Sequence, residues 1–322
     1  MSVWKLRASM VGTLALIIAL SSLFFTAILL YLEAFDFVTL GIIIVAFNIG
    51  QWLVSPYIIN ALYRARELPA NEQPKLHQMV ADLSSKSGMS KPPKLMLAQI
   101  PVPNAFAYGS PIAGTRVAVT SGLLSTLNEG EVEAVIGHEL GHLRHRDVQI
   151  MMVVSLLPAI AYYVGYSFWA SSMYGRNRNE GGGGAAIGMA FIAFSWVLNL
   201  FTLYLSRLRE YYADRHSASV VEGGPQKLST GLAKIVNATS RMGRAQKQTR
   251  NHGAFRALFI ADPDRASADA VELSRNIGAG DQKLVEGILS RRITTLDRVV
   301  EAMSTHPNIV KRLRALQELE QA

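Results

Sequence analysis

The chain has 322 residues, half of them apolar, and it carries a formal net charge of +8 and no cysteine. Disulfide bonds and thiolate ligands are therefore excluded, and a metal ion in this protein would have to be held by His, Asp or Glu. No nucleic-acid-binding motif accompanies the positive charge, so a basic cytoplasmic face beside anionic lipid explains that charge more simply than nucleic acid does.

The apolar residues are gathered in uncharged runs instead of being spread evenly as in a soluble core. The first run lies between Arg7 and Glu33, and its part VGTLALIIALSSLFFTAILLYL is long enough to cross a hydrocarbon layer of about 30 Å as a helix. It exceeds the roughly 7 to 15 apolar residues of a signal sequence, so we expect it to be retained. The second run lies between Asp36 and Arg64.

Two further uncharged runs occur later in the chain. They contain Pro158 and Asn199, which a buried helix of a large soluble protein would tolerate, but four such runs in one chain favour spanning helices. We expect the spans, paired as two hairpins, at residues 10–32, 37–63, 148–170 and 185–206.

Lys and Arg cluster on one side of these runs. By the positive-inside rule, residues 1–9, 64–147 and 207–322 are predicted to be cytoplasmic. The link GRNRNEGGGG falls in a short, flexible external loop, which we place at residues 171–184.

The cytoplasmic stretch after the second run begins with an amphipathic pattern. Residues 71–87 have apolar residues at helical spacing, and Gly88 is expected to end the helix. The strand-like runs KLMLAQI, VPNAFAYG and TRVAVTSGLL follow. Prolines flank the middle one, and proline cannot donate to a ladder, so residues 104–108 are expected at the edge of a small sheet. A free sheet edge can pair with an extended peptide.

Next comes the stretch STLNEGEVEAVIGHELGHLRHRD. Asn128 and Glu131 have the spacing of a capping box, which predicts a helix start ten residues ahead of the first motif histidine. Gly137 and Gly141 each cost roughly 1 kcal/mol in a helix, which indicates close packing against another element.

The HELGH motif within this stretch has the spacing of a zinc site. His138 and His142 are four residues apart, so a helix presents both imidazoles to one point, and Glu139 lies one residue round, where it can hold a metal-bound water. The alternative is an ordinary polar helix surface. The polar residues 144–147 separate the motif from the apolar run that follows, so we expect the metal in water, on a helix that continues into the lipid.

Two imidazoles leave a catalytic zinc one protein ligand short. His145 lies a further turn along the helix, too far from a metal held by the first pair, and is predicted to be a surface or interface residue. Glu210 and Asp214 are four apart, so one can bind the metal while the other accepts a hydrogen bond from a ligand histidine. The alternative is a solvated acidic pair, but the fourth span folding back beside the third favours the ligand role.

Towards the end, residues 228–238 are predicted to form a helix, and residues 240–303 show no clear pattern. THPNIVKRLRALQEL predicts an amphipathic helix with Pro307 in its first turn, capped by Thr305 or His306. The expected fold is therefore predominantly α-helical: four transmembrane helices and a cytoplasmic, zincin-like α+β domain with a small sheet.

The stretches PNAFA, HELGH, REYYADR and STHPNIVKRL resemble those of the HtpX family of membrane zinc metalloproteases, relatives of the CAAX prenyl-protein endopeptidases. The resemblance implies one zinc ion bound by His138, His142 and Glu210, with Glu139 as general base. It implies three further sets: the supporting carboxylates Asp147 and Asp214, the substrate-receiving strand residues Asn104, Ala105, Phe106 and Ala107, and the pair His306 and Arg312 near the reacting carbonyl.

The function predicted from these observations is a multi-pass membrane zinc endopeptidase with a cytoplasmic active site. The resemblance implies protein substrates, in particular misfolded or damaged membrane proteins. One alternative is a non-catalytic membrane scaffold or chaperone-like protein with a structural zinc. Another is a site-2-type intramembrane protease, but this would require HELGH inside an apolar run, and the polar residues 144–147 argue against it.

Overall fold

The computed structural model of the chain describes residues 37–174, 181–245 and 281–321. The predicted first span, residues 10–32, and the N-terminal residues 1–9 lie outside the described residues. Two compact units are present. The motif unit consists of residues 53–148 and the described residues from 209 onward, and the apolar unit consists of residues 37–52 and the described part of 149–208.

Most of the described chain is helical, as expected, with one small sheet. The helices are α1 (Phe37–Tyr63), α2 (Pro74–Lys86), α3 (Ser121–Thr126), α4 (Glu129–Arg144), α5 (Asp147–Tyr174), α6 (Gly181–Val220), α7 (Gly224–Ala245), α8 (Asp281–Leu289), α9 (Thr295–Ala302) and α10 (Ile309–Glu320). The strands are β1 (Ala65–Glu67), β2 (Lys94–Ala98), β3 (Ala105–Ser110) and β4 (Gly114–Thr120).

The sheet of the motif unit is mixed and has the strand order β1-β2-β4-β3. β1 pairs antiparallel with β2, β2 pairs parallel with β4, and β3 pairs antiparallel with β4. β3 is therefore an edge strand, which confirms the position expected from the prolines around residues 104–108. The prediction missed β1, a strand of three residues.

Residues of the strands alternate between two apolar clusters, as the period of two requires. One face packs against buried residues of α2, α4, α7 and α10 and carries Leu95, Leu97, Ala105, Val117 and Val119. The other face carries Met96, Ala98, Phe106, Tyr108 and Ala118, which pack with Tyr63 at the end of α1.

Helix α2 matches the amphipathic pattern that predicted it. It begins at Pro74, buries Leu76, Val80 and Leu83, and ends at Lys86. Gly88 follows with a φ of +66°, a conformation that favours glycine, so it ends the helix as expected.

Helix α4, which carries the HELGH motif, begins as predicted. The side chain of Asn128 accepts a hydrogen bond from the backbone N–H of Glu131, and the Glu131 carboxylate accepts one from the backbone of Asn128. Lys234 of α7 also bridges Glu131 and Asp281 at 2.8 Å each, which attaches α8 to this end of α4. The unassigned stretch 240–303 thus contributes α8 and α9.

The expected continuation of α4 into the third apolar run is wrong. α4 ends at Arg144, Arg146 has a φ of +55°, and α5 starts afresh at Asp147. A positive φ cannot be part of a right-handed helix, so α4 and α5 are separate helices.

The start of α10 also differs from the prediction. Asn308, not Thr305 or His306, caps the helix by accepting from the N–H of Val310, so Pro307 precedes the cap instead of standing in the first turn. The Asn308 side chain thus accepts from a backbone N–H of the first turn, the role expected of Thr305 or His306. His306 consequently lies in non-helical chain.

The apolar unit contains a helix pair of its own. Buried residues of α5 and α6 pack together, and a Cβ at Gly165 or Gly188 would come within 2.7 Å of backbone atoms of the facing helix. Among the described residues, two helical stretches are long and apolar enough to cross a membrane, Asp147–Trp169 and Gly183–Val220. They cover the predicted third and fourth spans, and the four-span topology stays a prediction.

The predicted external loop is too long. Residues 171–174 belong to α5 and residues 181–184 belong to α6, so the glycines at the end of GRNRNEGGGG are helical. Glycine is a poor helix former, so the glycine run favoured a loop in the prediction.

Candidate metal centre

The two motif histidines and Glu210 meet at one point of the motif unit. His138 Nε2 lies 3.2 Å from His142 Nε2. Glu210 Oε2 lies 3.6 Å from His138 Nε2, and Glu210 Oε1 lies 3.5 Å from His142 Nε2. With bonds of about 2.0–2.2 Å, tetrahedral zinc ligands stand about 3.3–3.6 Å apart. The spacing of these donors therefore fits a zinc ion.

Close packing of α4 on α6 creates this convergence. A Cβ at Gly137 would stand 3.2 Å from Ser217 Oγ, and a Cβ at Gly141 would stand 3.2 Å from the Cα of Ala213. The Ser217 hydroxyl also donates to the carbonyl of Ala134 at 2.6 Å. The two glycines beside the histidines thus allow the close approach that the sequence indicated, and α6 brings Glu210 to α4.

A buried carboxylate and guanidinium hold the first histidine. Asp214 Oδ1 lies 3.0 Å from His138 Nδ1. Arg312 of α10 donates to both oxygens of Asp214, from Nε at 2.9 Å and from a terminal nitrogen at 2.6 Å, and its other terminal nitrogen lies 3.1 Å from Glu210 Oε2. Arg312 is 1% exposed. The contact at Nδ1 is an ion pair and not a well-oriented hydrogen bond, and a carboxylate on that side leaves Nε2 of the histidine as the metal-facing atom.

A second set of the same kind holds the other histidine. Asp147 Oδ2 lies 2.6 Å from His142 Nδ1, and Asp147 Oδ1 lies 3.0 Å from Arg209 Nε. The latter pair is an ion pair and not a well-oriented hydrogen bond, since both atoms lack a partner of suitable geometry. Asp147 can reach back because the chain turns at Arg146.

The charges at this point favour binding of a cation. Burial would raise the pKa of Glu210, but His306, His138 and Arg312 outweigh it and hold that pKa well below its usual range. Burial would lower the pKa of His138, but hydrogen bonds to Asp214 and Glu210 raise it to about 10 when no metal is bound. The site therefore keeps the Glu210 carboxylate ionised, as binding of a metal cation requires.

Glu210 Oε2 gives a further test of the fit to a metal. This atom is buried and receives no well-oriented hydrogen bond, although nitrogen atoms of His138, His306 and Arg312 lie within 3.1–3.6 Å of it. A buried carboxylate oxygen without a donor is costly unless something else compensates it. A bound cation between the three ligand side chains would do so.

The other predicted site residues lie at different distances from this point. Glu139 is buried in α4 beside His138, and His306 Nδ1 lies 3.3 Å from Glu210 Oε2. Residues 104–107 lie at the start of the edge strand β3, and the first three of them are less than 5% exposed. The motif helix packs on the apolar face of this sheet, which carries Ala105.

His145 is not part of the cluster of His138, His142 and Glu210, and its ring is half-buried. Its ring packs edge-on against Tyr212, with centroids 4.2 Å apart, and lies 5.5 Å from the ring of His216. His216 Nε2 in turn lies 2.9 Å from Ser87 Oγ. His145 thus belongs to a neighbouring aromatic cluster.

Sequence reasoning used Arg209 only for orientation in the membrane and so missed its contact with Asp147. The available signal for a role of Arg209 in the site was its position directly before Glu210, which was already a predicted ligand. The family resemblance indicated Arg312 as a site residue. It did not indicate the contact of Arg312 with Asp214, because the two residues are 98 positions apart in the chain.

The sequence is similar to known proteases over most of its length. The sequence matches peptidase family M48 over residues 69–320. A protease HtpX homolog of Thermoplasma acidophilum is 37% identical over 283 residues, covering 86% of this chain and 84% of that protein. One of Aeropyrum pernix is 40% identical over 285 residues, covering 87% and 85%. Protease HtpX homolog 2 of Sulfurisphaera tokodaii is 34% identical over 98% of both chains.

A solved structure is similar in fold. The crystal structure of S. mikatae Ste24p superposes with a TM-score of 0.56 at 17% identity. The match covers 97% of this chain and 66% of that one, so the chain spans slightly less than two thirds of that protein. Because the family match covers most of the chain, and the HtpX homologs are similar over more than four fifths of their length, the chain belongs to peptidase family M48, a family of metalloproteases.

Proposed function

We propose that the chain is a membrane-bound zinc endopeptidase that hydrolyses peptide bonds of misfolded or damaged membrane proteins. The observation that carries this proposal is the convergence of His138, His142 and Glu210 with donor spacings of 3.2–3.6 Å. Three protein ligands with a free fourth position are typical of catalytic zinc, whereas structural zinc usually has four. Among the described residues, the cluster with metal-ligand geometry contains these three side chains. This favours an enzyme over a scaffold with a structural zinc.

The zinc would be held by His138 Nε2, His142 Nε2 and the Glu210 carboxylate. When bound, it would supply Lewis acidity towards a water molecule and the scissile carbonyl. Asp214 and Asp147 keep the two histidines in the tautomer whose Nε2 lone pair faces the metal, and Arg312 and Arg209 hold those carboxylates ionised and in place.

Glu139 is the proposed general base. It follows His138 on α4, about 100° round the helix from it, and its buried position limits its contact with bulk water. Its carboxylate would take the proton of the attacking water and return it to the nitrogen of the leaving amine.

His306 and Arg312 are the proposed residues near the reacting carbonyl. His306 would donate from its imidazole to the oxygen that becomes negatively charged during attack. Arg312 is held by Asp214 and Glu210, so its contribution would be to fix the metal ligand and to add positive charge to the site. Residues 104–107 would receive the substrate as an added strand at the edge of the sheet.

The membrane part of the proposal rests on the chain's apolar helices and on its relatives. Two described helices have the length and hydropathy of spans, and the uncharged helix α1 adds a third candidate. The positive-inside rule puts the motif unit in the cytoplasm. The curated relatives are named as proteases, and a cytoplasmic site beside the bilayer suits substrates whose chains emerge from it.

One comparison tests the enzyme: the metal content of purified protein in detergent and its cleavage of casein, for wild type, Glu139→Gln and Glu210→Ala. We expect Glu139→Gln to retain zinc and lose cleavage, because it removes proton transfer alone. Glu210→Ala should lose both, and a chelator should stop the wild type. Asp82→Asn, on the exposed side of α2, is the matched control and should behave as wild type. Wild-type cleavage by Glu139→Gln would refute the general base, and zinc without any turnover would support the scaffold.

A further inference from the structure

The hairpin formed by β3 and β4 lies along the last three turns of α1. The hydroxyl of Ser110, at the end of β3, donates to the carbonyl of Leu53 at 3.0 Å. Farther from the tip, the Tyr108 hydroxyl lies 2.6 Å from the side-chain amide of Asn60. All of these residues belong to the motif unit. The tip of the hairpin therefore stands beside Leu53, not beside the end of the helix at Tyr63.

Leu53 lies deep in the uncharged part of α1. The helix Phe37–Tyr63 contains 27 residues, and a span needs about 20. Any 20 consecutive residues within it end between residues 56 and 63, so each such stretch contains Leu53. By helical rise, Leu53 would lie about 5 to 15 Å inside the end of the span.

The tip itself is uncharged and exposes one large apolar side chain. Residues 110–114 read SPIAG and carry no charge. Ile112, at the apex, is 62% exposed. The N–H of Ala113 donates to Ser110 Oγ at 3.2 Å, so this turn satisfies one of its own backbone donors. A single exposed isoleucine is ordinary, but here it is presented beside an apolar helix.

The position of a nearby cation bears on how deep the tip could lie. The guanidinium carbon of Arg116, two residues beyond the tip on β4, lies 5.7 Å from the ring centre of Tyr57. Tyrosine is enriched at membrane interfaces, and arginine is costly deeper in the hydrocarbon. We therefore place Tyr57 at the interface. Leu53 lies one turn earlier in α1, so its depth inside the span would be near the lower limit of about 5 Å.

We propose that the β3–β4 hairpin tip, residues 110–114, inserts into the lipid–water interface of the bilayer that α1 crosses, with Ile112 as its deepest side chain. The inference rests on the span of the proposed function, because α1 must cross the membrane. It deepens that function, since β3 is also the strand proposed to receive substrate. One end of the substrate-binding edge would then lie at the membrane surface, where an unfolded chain leaving the bilayer first becomes accessible.

Depth-dependent quenching tests the insertion directly. The chain has no cysteine, so single cysteines can be labelled with a fluorophore in the full-length protein reconstituted in vesicles. Ile112→Cys tests the tip, Ala46→Cys reports on α1 within its uncharged part, and Lys75→Cys, on a side chain 82% exposed in α2, reports on water. We expect the Ile112 probe to be quenched by bromine on the lipid chains, as the Ala46 probe is, and to be shielded from aqueous iodide, unlike the Lys75 probe.

The controls separate the ways in which the inference can fail. If the Ala46 probe is not quenched from the lipid, α1 does not span, and both the insertion and that part of the proposed function are wrong. If the Ala46 probe is quenched while iodide reaches the Ile112 probe, only the insertion is wrong. Shielding of the Ile112 probe from both quenchers would mean that protein covers the tip, and this result would also overturn the proposed insertion. Zinc content and casein cleavage of the labelled proteins test the enzyme independently.

Discussion

Asp147 stands five residues after His142, yet its Oδ2 lies 2.6 Å from the Nδ1 of that histidine. In a continuous helix the two side chains would point about 140° apart. The contact exists because α4 ends at Arg144 and the backbone turns at Arg146 before α5 begins. The break thus serves the metal site, since it supplies the carboxylate that orients a ligand.

Replacing Asp147 by Asn should weaken metal binding while leaving the three ligands in place. The amide cannot hold the His142 tautomer as an ionised carboxylate does, and loss of such a partner typically costs about 10- to 100-fold in metal affinity. Chelator competition on the purified protein measures the effect, and Asp82→Asn is the control. An unchanged affinity would show that His142 needs no support from Asp147.

Arg312 should stabilise the fold as well as the site. It is buried and contacts both Asp214 and Glu210, so its removal leaves two buried carboxylates without their guanidinium. Breaking a buried pair costs about 3–5 kcal/mol. Arg312→Met should therefore lower the melting temperature strongly. Arg312→Lys should rescue little, because an ammonium cannot donate to Asp214 in the bidentate manner.

Thermal unfolding in detergent, followed by circular dichroism, tests this prediction. Arg292→Met, at an exposed arginine ahead of α9, is the matched control and should melt as wild type does. A melting temperature of Arg312→Met close to that of wild type would contradict the role of this side chain in holding the two carboxylates.

Local signals were sufficient for several parts of the site. The capping box at Asn128 and Glu131 fixed where α4 begins, and the prolines around residues 104–108 placed β3 at the sheet edge. Spacing along the helices paired the two histidines and indicated Glu210. Apart from Glu210, which also required the fourth span to fold back beside the third, these conclusions depended on residues no more than a few positions apart, where the chain's own geometry limits the outcome.

The parts that could not be predicted depend on contacts between residues far apart in the chain, or on a turn that contains no turn-forming residue. The turn at Arg146 has neither Gly nor Pro to announce its positive φ. The pairing of Arg312 with Asp214 joins α10 to α6, and that of Arg209 with Asp147 joins α6 to α5. In both cases sequence identifies charged residues, but only packing determines which carboxylate each guanidinium meets.

Gly141 should not tolerate a methyl group. A Cβ there would lie 3.1 Å from His216 Cβ and 3.2 Å from the Cα of Ala213, so α4 and α6 would have to separate. Overpacking of this kind costs about 1–3 kcal/mol, and separation would also move Glu210 from the histidines. We expect Gly141→Ala to lower both the melting temperature and the affinity for zinc.

Gly231→Ala is the control for the methyl group itself. The nearest atoms to a Cβ at Gly231 lie 3.6 Å away, which is ordinary contact, and alanine is the better helix former. This variant should be neutral or slightly stabilised. Equal behaviour of Gly141→Ala and Gly231→Ala would mean that the approach of α4 to α6 is not limiting.

His216 should make stability depend on pH in mildly acidic solution. Burial, with the nearby charges of His145 and Arg144, lowers its pKa to about 4, while an unfolded histidine titrates near its usual value of about 6.5. Between these values the unfolded chain binds a proton that the folded chain does not, so folding stability falls as pH decreases from about 6.5 to about 4. Above this window the contribution is fully present. Because the side chain is only partly buried, we expect about 1–2 kcal/mol after allowing for solvent screening.

Comparing melting temperatures of wild type and His216→Gln at several pH values isolates this contribution, since the carboxylates titrate in both proteins. The variant should lose less stability on acidification, and two parallel curves would show that His216 is not held neutral by the fold.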